Sequence, residues 1–242
     1  MNRKTRDRYC VITGASGTIG RAIADALLQD SYVPLAIGRS RPTDWQGEFF
    51  ECDLSQEAEI ELVCNQLASE VPRVWGLINS AGQAFGGELQ DLTNRDLSQL
   101  LQLNTVAPAL LARGITPLMA EGGRIVSISS TTAYGKRGRS AYAASKAGLN
   151  ALSACWALEL GPRNITSNVV AAGPVESPVL RSAIPAGSER ERVLLEQIPT
   201  GRFTQPQEVA ALVLYLLSFD AANITGQAIR LDGGLSAGAF SQ

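Results

Sequence analysis

Tyr9-Cys10-Val11-Ile12-Thr13-Gly14-Ala15-Ser16-Gly17-Thr18-Ile19-Gly20 is the stretch that decides the fold. A short apolar run of strand character, 9–13, passes without a break into a glycine-rich turn. A stripe at helical spacing, Ile19, Ile23, Ala26 and Leu27, begins at once. Glycine at such a junction permits a tight turn and lets backbone N–H groups and a helix N-terminus face a pyrophosphate. Alone, the turn is a weak signal. After the first strand of an alternating chain it is a candidate nucleotide site.

The rest of the chain does alternate. Residues 33–37, 49–52, 74–78, 124–128, 167–170 and 228–231 are short apolar runs bounded by Gly, Asp, Asn or Pro, and they read as buried strands. Between them lie helical stripes such as Ile60, Val63, Cys64, Leu67 and Val71, then Leu149, Leu152, Trp156 and Leu160, then Val209, Leu212, Val213 and Leu216. Strand and helix repeated in this way predict an α/β fold: a doubly wound parallel sheet of about seven strands, with helices on both faces and right-handed crossovers. The length, 242 residues, fits a single domain over 1–242. The long irregular stretch 173–199 holds Pro174, Pro178, Pro185 and Gly187 around a helix-like piece at 189–197, and is expected to be a substrate lid.

Composition narrows the chemistry. The chain is 45% apolar and 18% charged, with 21 Lys+Arg against 23 Asp+Glu, a net charge of −2, and no histidine. Without histidine, a Ser-His-Asp or Cys-His nucleophile, a His-ligated zinc and a histidine base are excluded, so Tyr, Lys, Asp, Glu or Cys must move protons. No metal site is expected. Near-neutral charge gives no global reason to bind nucleic acid or an anionic membrane. The longest apolar run, 209–219, falls short of the roughly 20 residues a spanning helix needs. Cys10, Cys52, Cys64 and Cys155 are scattered, form no CxxC pair and read as reduced structural thiols. The basic, polar start, 1–8, leads into no signal-peptide-like apolar segment. A cytoplasmic protein is expected.

Two further constellations carry chemistry. At the end of the second strand, where a carboxylate usually bonds the ribose 2′-hydroxyl of NAD, the sequence reads Gly38-Arg39-Ser40-Arg41. A guanidinium there suits a 2′-phosphate, so NADP is favoured, with NAD possible. Tyr142-Ala-Ala-Ser-Lys146 opens an apolar-striped helix and sets a phenol and an ammonium four residues apart on one face. The ammonium is expected to lower the phenol's pKa, making it an acid or base near neutral pH. Ser129-Ser130 ends the preceding strand, at the carboxyl edge where open α/β sheets bind ligands.

In this order of parts the sequence resembles the compact, single-domain branch of the short-chain dehydrogenase/reductase family over nearly its whole length. The glycine turn is followed by Asp53, by Asn79-Ser80-Ala81-Gly82, by Asn104, by Ser130, Tyr142 and Lys146, by Gly173-Pro174 with Ser177, and by Asp232-Gly233-Gly234. The resemblance implies a Rossmann fold and hydride transfer between a nicotinamide and a carbonyl or secondary alcohol. Tyr142 is then the general acid or base, Ser130 the hydrogen-bond donor to the reacting oxygen, Lys146 the ligand of the nicotinamide ribose, and Asn104 the holder of a proton-relay water. Cofactor contacts are implied for Gly14, Ser16, Gly17, Thr18, Ile19, Gly20, Arg39, Ser40, Asp53, Leu54, Asn79, Ala81, Gly82, Tyr142, Lys146, Gly173, Pro174, Val175 and Ser177.

The pattern departs from the family's at several points. The middle glycine stands at Gly17 rather than at position 18, Ser80 replaces an Asn, and Ala172 replaces a Pro. Ser130 lies one residue nearer Tyr142 than is common, so counting backwards favours Ser129. Side chains alternate along a strand and only one can face the site; Ser130 is chosen because 124–130 aligns without a gap. The segments 197–202 and 206–209 are most like those of 3-oxoacyl-carrier-protein reductases, which implies a ketone or 3-oxoacyl reductase. The alternatives are an NAD(P)-dependent alcohol, sugar or dihydrodiol dehydrogenase working oxidatively, and a non-catalytic dinucleotide sensor. The basic loop Lys136-Arg137-Gly138-Arg139 is a candidate attractor of an anionic or carrier-linked substrate. Phe85, Tyr134, Val179, Leu180 and Ile184 are candidate pocket residues. A homotetramer built on 97–111 and 142–160 is expected by resemblance.

Overall fold

The opening strand, β1 (Arg8–Thr13), runs into α1 (Thr18–Gln29), and the chain continues through β2 (Tyr32–Gly38), β3 (Glu48–Glu51), α2 (Glu57–Glu70) and β4 (Val74–Asn79). Next come α3 (Asn94–Leu101), α4 (Ala107–Ile115), β5 (Met119–Ser130), α5 (Ser140–Leu160) and β6 (Thr166–Ala172). Two short helices, α6 (Pro178–Ala183) and α7 (Glu189–Glu196), precede α8 (Pro206–Leu217) and β7 (Ala228–Leu231). These elements come from a computed structural model that describes residues 8–237. The basic start at 1–7 and the last residues of the expected domain, 238–242, lie outside the described residues.

One sheet holds the seven strands in the order β3-β2-β1-β4-β5-β6-β7, every pair parallel. Strand order therefore reverses between β1 and β4, and the crevice above their carboxyl ends is where such sheets take ligands. The two faces follow from alternation along each strand. Cys10 and Ile12 pack with Ile23 and Leu27 of α1 and Val209, Val213 and Leu216 of α8. Val11 packs on the opposite side with Ile60, Val63 and Leu67 of α2 and Leu111 and Ile115 of α4. Both faces of β1 are dry, which is why it reads as an unbroken apolar run.

The structure extends β5 backwards to Met119, beyond the expected start at 124, across a register shift opposite Val74 and Gly76. Gly122, at φ +77, makes that irregularity possible, and a glycine pair reads as a turn in sequence. Arg124 is buried there at 2% exposure, donating to the carbonyls of Gly122, Gly123 and Ser218 and lying over the Trp75 ring. Those acceptors satisfy a charge that would otherwise be costly to bury.

The stretch 173–199 carries two helices where one was expected. Pro178 is the first residue of α6, where its missing N–H costs nothing, and the Ser177 hydroxyl accepts from Leu180 N at 3.1 Å to cap the turn. Arg181 ties α6 to its surroundings through Glu176 and Glu191. Cys10, Cys52 and Cys64 are buried, and burial pushes the Cys52 thiol up to about 12. Cys155 departs from the expectation: it lies off the buried stripe of α5 and is exposed. Among the described residues no helix is long and apolar enough to cross a membrane.

Candidate active site

The glycine turn is shaped by close backbone packing. Gly14 adopts φ +71, and a Cβ on it would stand 2.7 Å from Ala81 N. A Cβ on Gly20 would stand 2.1 Å from Gly14 O, whereas at Gly17 the nearest atom is Gly14 O at 3.4 Å. Gly14 and Gly20 are thus needed by the turn itself. The Thr13 hydroxyl accepts from Ser80 N at 3.1 Å and Ala81 N at 3.0 Å, fastening the end of β4 to that of β1.

Above these two strands lies a cleft of about 390 Å³. Of the expected cofactor residues, Gly14, Ser16, Gly17, Arg39, Asp53, Leu54, Ala81 and Gly82 line it. Thr18, Ile19, Gly20, Ser40 and Asn79 do not. Asn79 sits behind it at 2% exposure, donating to the Ser127 hydroxyl at 3.1 Å. Gly173, Pro174, Val175 and Ser177 also lie outside the cleft, beyond the end of β6, where Val175 pairs with Thr204. A Cβ on Gly173 would meet Asp232 Cβ at 2.5 Å, so this glycine serves the packing of the Asp232 turn.

Several lining residues had no expected role. Ile37, Gly38 and Cys52 stand at or just beyond the carboxyl ends of β2 and β3, where the rule for open sheets could have found them. Gln83, in the loop after β4, and Gln99 and Gln102, on a helix, gave no signal, because polar residues of a loop or helix face look like solvated ones. Gln99 Nε2 donates to Gln83 Oε1 at 2.9 Å across the cleft edge.

The cleft suits a dinucleotide. Gly17 and Gly38 on its lining leave open the space a side chain would take, and the Ser80 hydroxyl is buried on its wall with no hydrogen-bond partner among the described residues. Arg41 donates one nitrogen to the Gly47 carbonyl at 3.0 Å, while Arg39 makes no hydrogen bond or ion pair among the described residues. Asp53 accepts from Ser55 N, which, aided by the Arg39 charge, holds its carboxyl below the usual value.

The carboxyl end of β5 and the first turns of α5 bring Ser130, Tyr142 and Lys146 together. Ser129 is buried and its hydroxyl donates inward to Lys146 O at 3.3 Å. Ser130 instead accepts from Thr132 N at 3.1 Å and hydrogen-bonds the Tyr142 phenol. The alternation along β5 therefore assigns Ser130, not Ser129, to the phenol. The expected lowering of the tyrosine pKa is corrected by the structure. Burial raises it, with the Ser130 hydrogen bond and the Arg139 charge pulling the other way. Lys146 does not offset this because its Nζ lies 6.0 Å from the ring centroid and donates to the Ile128 carbonyl at 2.8 Å.

Lys146 is itself buried, and burial pulls its ammonium down to about 8. A folded pKa below the unfolded one means the unfolded chain binds more protons between the two values, so stability rises with pH there. Between pH 8 and 10, urea unfolding is expected to show a gain of up to about 2–3 kcal/mol from this group, absent in Lys146→Met. A Lys146→Met profile that keeps the full rise would remove the assignment.

Asn104 lies in a π-turn, 102–106, fully buried. It accepts from Gln83 N at 3.0 Å and donates to Gln83 O at 2.9 Å and the Ser145 hydroxyl at 3.0 Å. A Cβ on Gly82 would stand 2.9 Å from Asn104 Oδ1 and 3.3 Å from Lys146 Nζ, so both groups pack on the same bare glycine. The candidate pocket residues divide: Tyr134 and Val179 are exposed at 51% and 77%, while Ile184 is buried and belongs to the packing.

A doubly wound sheet with a glycine-lined cleft at its switch point, and a serine, tyrosine and lysine beside it, defines a dinucleotide-dependent oxidoreductase. A family profile described as enoyl-(acyl carrier protein) reductase matches residues 14–236. The chain is 30% identical to the 3-oxoacyl-(acyl-carrier-protein) reductase of Thermotoga maritima, covering 94% of this chain and 97% of that one. The aldohexose dehydrogenase of Thermoplasma acidophilum superposes with a TM-score of 0.91 at 27% identity, over 98% of this chain and 97% of that one. A blue fluorescent protein from a metagenomic library, solved with NADPH, gives 0.86 at 27%, over 95% and 98%. The chain belongs to the short-chain dehydrogenase/reductase family, whose members bind a nicotinamide dinucleotide and act on CH–OH or keto groups.

Proposed function

We propose that the protein is an NADP-dependent reductase of a ketone, with 3-oxoacyl compounds as the favoured class. The convergence of Ser130, Tyr142 and Lys146 at the carboxyl end of β5, beside the cleft, carries this reading. The bound nicotinamide supplies the hydride. Tyr142 gives its phenolic proton to the carbonyl oxygen, Ser130 donates a hydrogen bond to the same oxygen, and Lys146 holds the ribose hydroxyls. Asn104 holds the water through which Lys146 exchanges protons. The segment 173–199 closes over the substrate as a lid. The likeness to the Thermotoga reductase supports the 3-oxoacyl class, and carrier-linked forms are included in it. The same reading has the protein working in the cytoplasm as a homotetramer built on 97–111 and 142–160.

Steady-state rates with both cofactors and a panel of ketones and alcohols test the reading. NADPH-dependent reduction is expected; activity only with NAD⁺ and an alcohol or sugar overturns it. Arg39→Ala is expected to raise the KM for NADPH about tenfold and leave that for NADH unchanged, since a charge-assisted pair to the 2′-phosphate is lost. Equal effects on the two cofactors would remove Arg39 from the 2′-phosphate site.

A further inference from the structure

The turn of α5 that carries the phenol and the ammonium reads Tyr142-Ala143-Ala144-Ser145-Lys146-Ala147. Among its small residues Ser145 alone has a hydroxyl, at a position with no exposure, where alanine would be the better helix former. A buried hydroxyl is costly unless it is hydrogen-bonded. This one is used twice: it donates to the Tyr142 carbonyl at 2.8 Å and accepts from Asn104 Nδ2 at 3.0 Å.

The element on the other side of Ser145 is held as firmly. Asn104 lies in the π-turn 102–106, where the Ala107 N–H reaches back to the Gln102 carbonyl, and such turns often stand at functional sites. The rest of its amide binds the Gln83 backbone, N–H and carbonyl alike. The next residue, Thr105, donates its hydroxyl to the Ser145 carbonyl at 2.8 Å; Gly148 gives it room, since a Cβ there would stand 3.0 Å from Thr105 Cγ2. Ser145 is thus tied to the π-turn by its side chain and by its backbone. The contacts close a circuit, because Gly82, the neighbour of Gln83, packs on both Asn104 Oδ1 and the Nζ of Lys146, the neighbour of Ser145. A slip at Ser145 therefore moves the turn bearing Tyr142 and Lys146 against Gly82 and Gln83, which line the cleft.

We propose that Ser145 is a positioning residue for proton transfer: by fastening the Tyr142 carbonyl to the π-turn it sets where the phenol stands relative to Ser130 and the cleft. Ser145 does not line the cleft and acts only through Tyr142. Thr105 is the second strut of the same brace. The proposal rests on the reading of Tyr142 as the proton donor and adds the residue that holds it in place. Misplacing a reacting group by about an ångström can cost about 100-fold in rate, so a small slip of this turn is enough.

Ser145→Ala is expected to slow the single-turnover rate about tenfold, read by NADPH absorbance with whichever ketone or alcohol the wild type turns over fastest. NADPH affinity, read by fluorescence titration, is expected to stay within about twofold, because the glycine turn, Arg39 and Asp53 are untouched. Ser153→Ala is the control for a merely structural loss. Ser153 is buried in the same helix, about two turns further on, and shares a hydrogen bond with the Ser167 hydroxyl at 2.8 Å. Its substitution should lower the urea midpoint and leave the rate within about twofold. Thr105→Val removes the second strut with little change of shape and is expected to slow the rate about threefold; it decides the matter if Ser145→Ala fails to fold. An unchanged rate in Ser145→Ala, or in Thr105→Val where the first protein does not fold, overturns the proposal. So does an equal loss of rate in Ser153→Ala, or a fall in NADPH affinity as large as the fall in rate. An active wild type with an indifferent Ser145→Ala leaves the reductase without the brace, whereas a wild type that turns over neither ketone nor alcohol removes the reductase reading and the positioning role with it.

Discussion

Tyr142→Phe is expected to lower turnover at least about 100-fold while cofactor affinity stays within about twofold of the wild type. The argument starts from composition: a chain with no histidine must find its proton donor elsewhere. Of the groups gathered at the end of β5, Lys146 already donates to the Ile128 carbonyl and Ser129 to Lys146 O. The Tyr142 phenol remains, held protonated by burial and hydrogen-bonded with Ser130. A phenol above its ordinary pKa is protonated at neutral pH and so carries the proton that reduction requires. The substitution removes one hydroxyl and one hydrogen bond, and the Ser130 hydroxyl retains the Thr132 N–H, so folding stability should change by less than about 1.5 kcal/mol. Ser130→Ala should follow the same pattern, and Ser129→Ala should lose stability rather than rate. Unchanged turnover in Tyr142→Phe would refute the assignment of the acid.

How much of this was legible in the sequence depends on the physics that set each feature. The sheet was legible because strands buried on both faces must be apolar throughout, as 9–13 and 74–78 are, and helices packed on them must carry stripes at 3.6-residue spacing. Tyr142 and Lys146 were legible because their spacing fixes a shared helix face. The choice between Ser129 and Ser130 was not, since alternation says only that one points each way. It took the contact with Lys146 O to show which serine points inward. The direction of the tyrosine's pKa was misread for a related reason: sequence spacing brings an ammonium near but says nothing of the carbonyl it binds instead. Arg137 looked equivalent to Lys136 and Arg139 until Glu88, distant in sequence, was seen to pair with it. Single-residue turns such as that at Gly122, and ion pairs between distant segments, leave no periodic trace.

The glycine turn supplies the second large expected effect, because the structure separates two glycines that the sequence presents as alike. A Cβ at position 20 would sit 2.1 Å from Gly14 O, 2.7 Å from Gly14 C and 3.1 Å from Ala15 Cα. All are backbone atoms, which cannot rotate aside, so Gly20→Ala must push the turn away from α1. Overpacking of this kind costs about 1–3 kcal/mol, and here it falls on the lining of the cleft, so both stability and cofactor affinity should drop, the latter at least about tenfold. At position 17 the φ is −85 and the nearest atom is 3.4 Å away, an ordinary contact. Gly17 caps α1, where alanine is a poorer choice, so Gly17→Ala should cost about 1 kcal/mol or less. Yet Gly17 lines the cleft, and a methyl group there occupies space that backbone N–H groups need clear to approach a pyrophosphate. Gly17→Ala should therefore lose affinity for NADPH with the fold nearly intact, and Gly20→Ala should lose both. Urea unfolding paired with NADPH fluorescence titration reads the two quantities separately. If Gly17→Ala binds NADPH as the wild type does, the diphosphate does not pass over this turn, and the cofactor's path through the cleft must be redrawn from Arg39 outward.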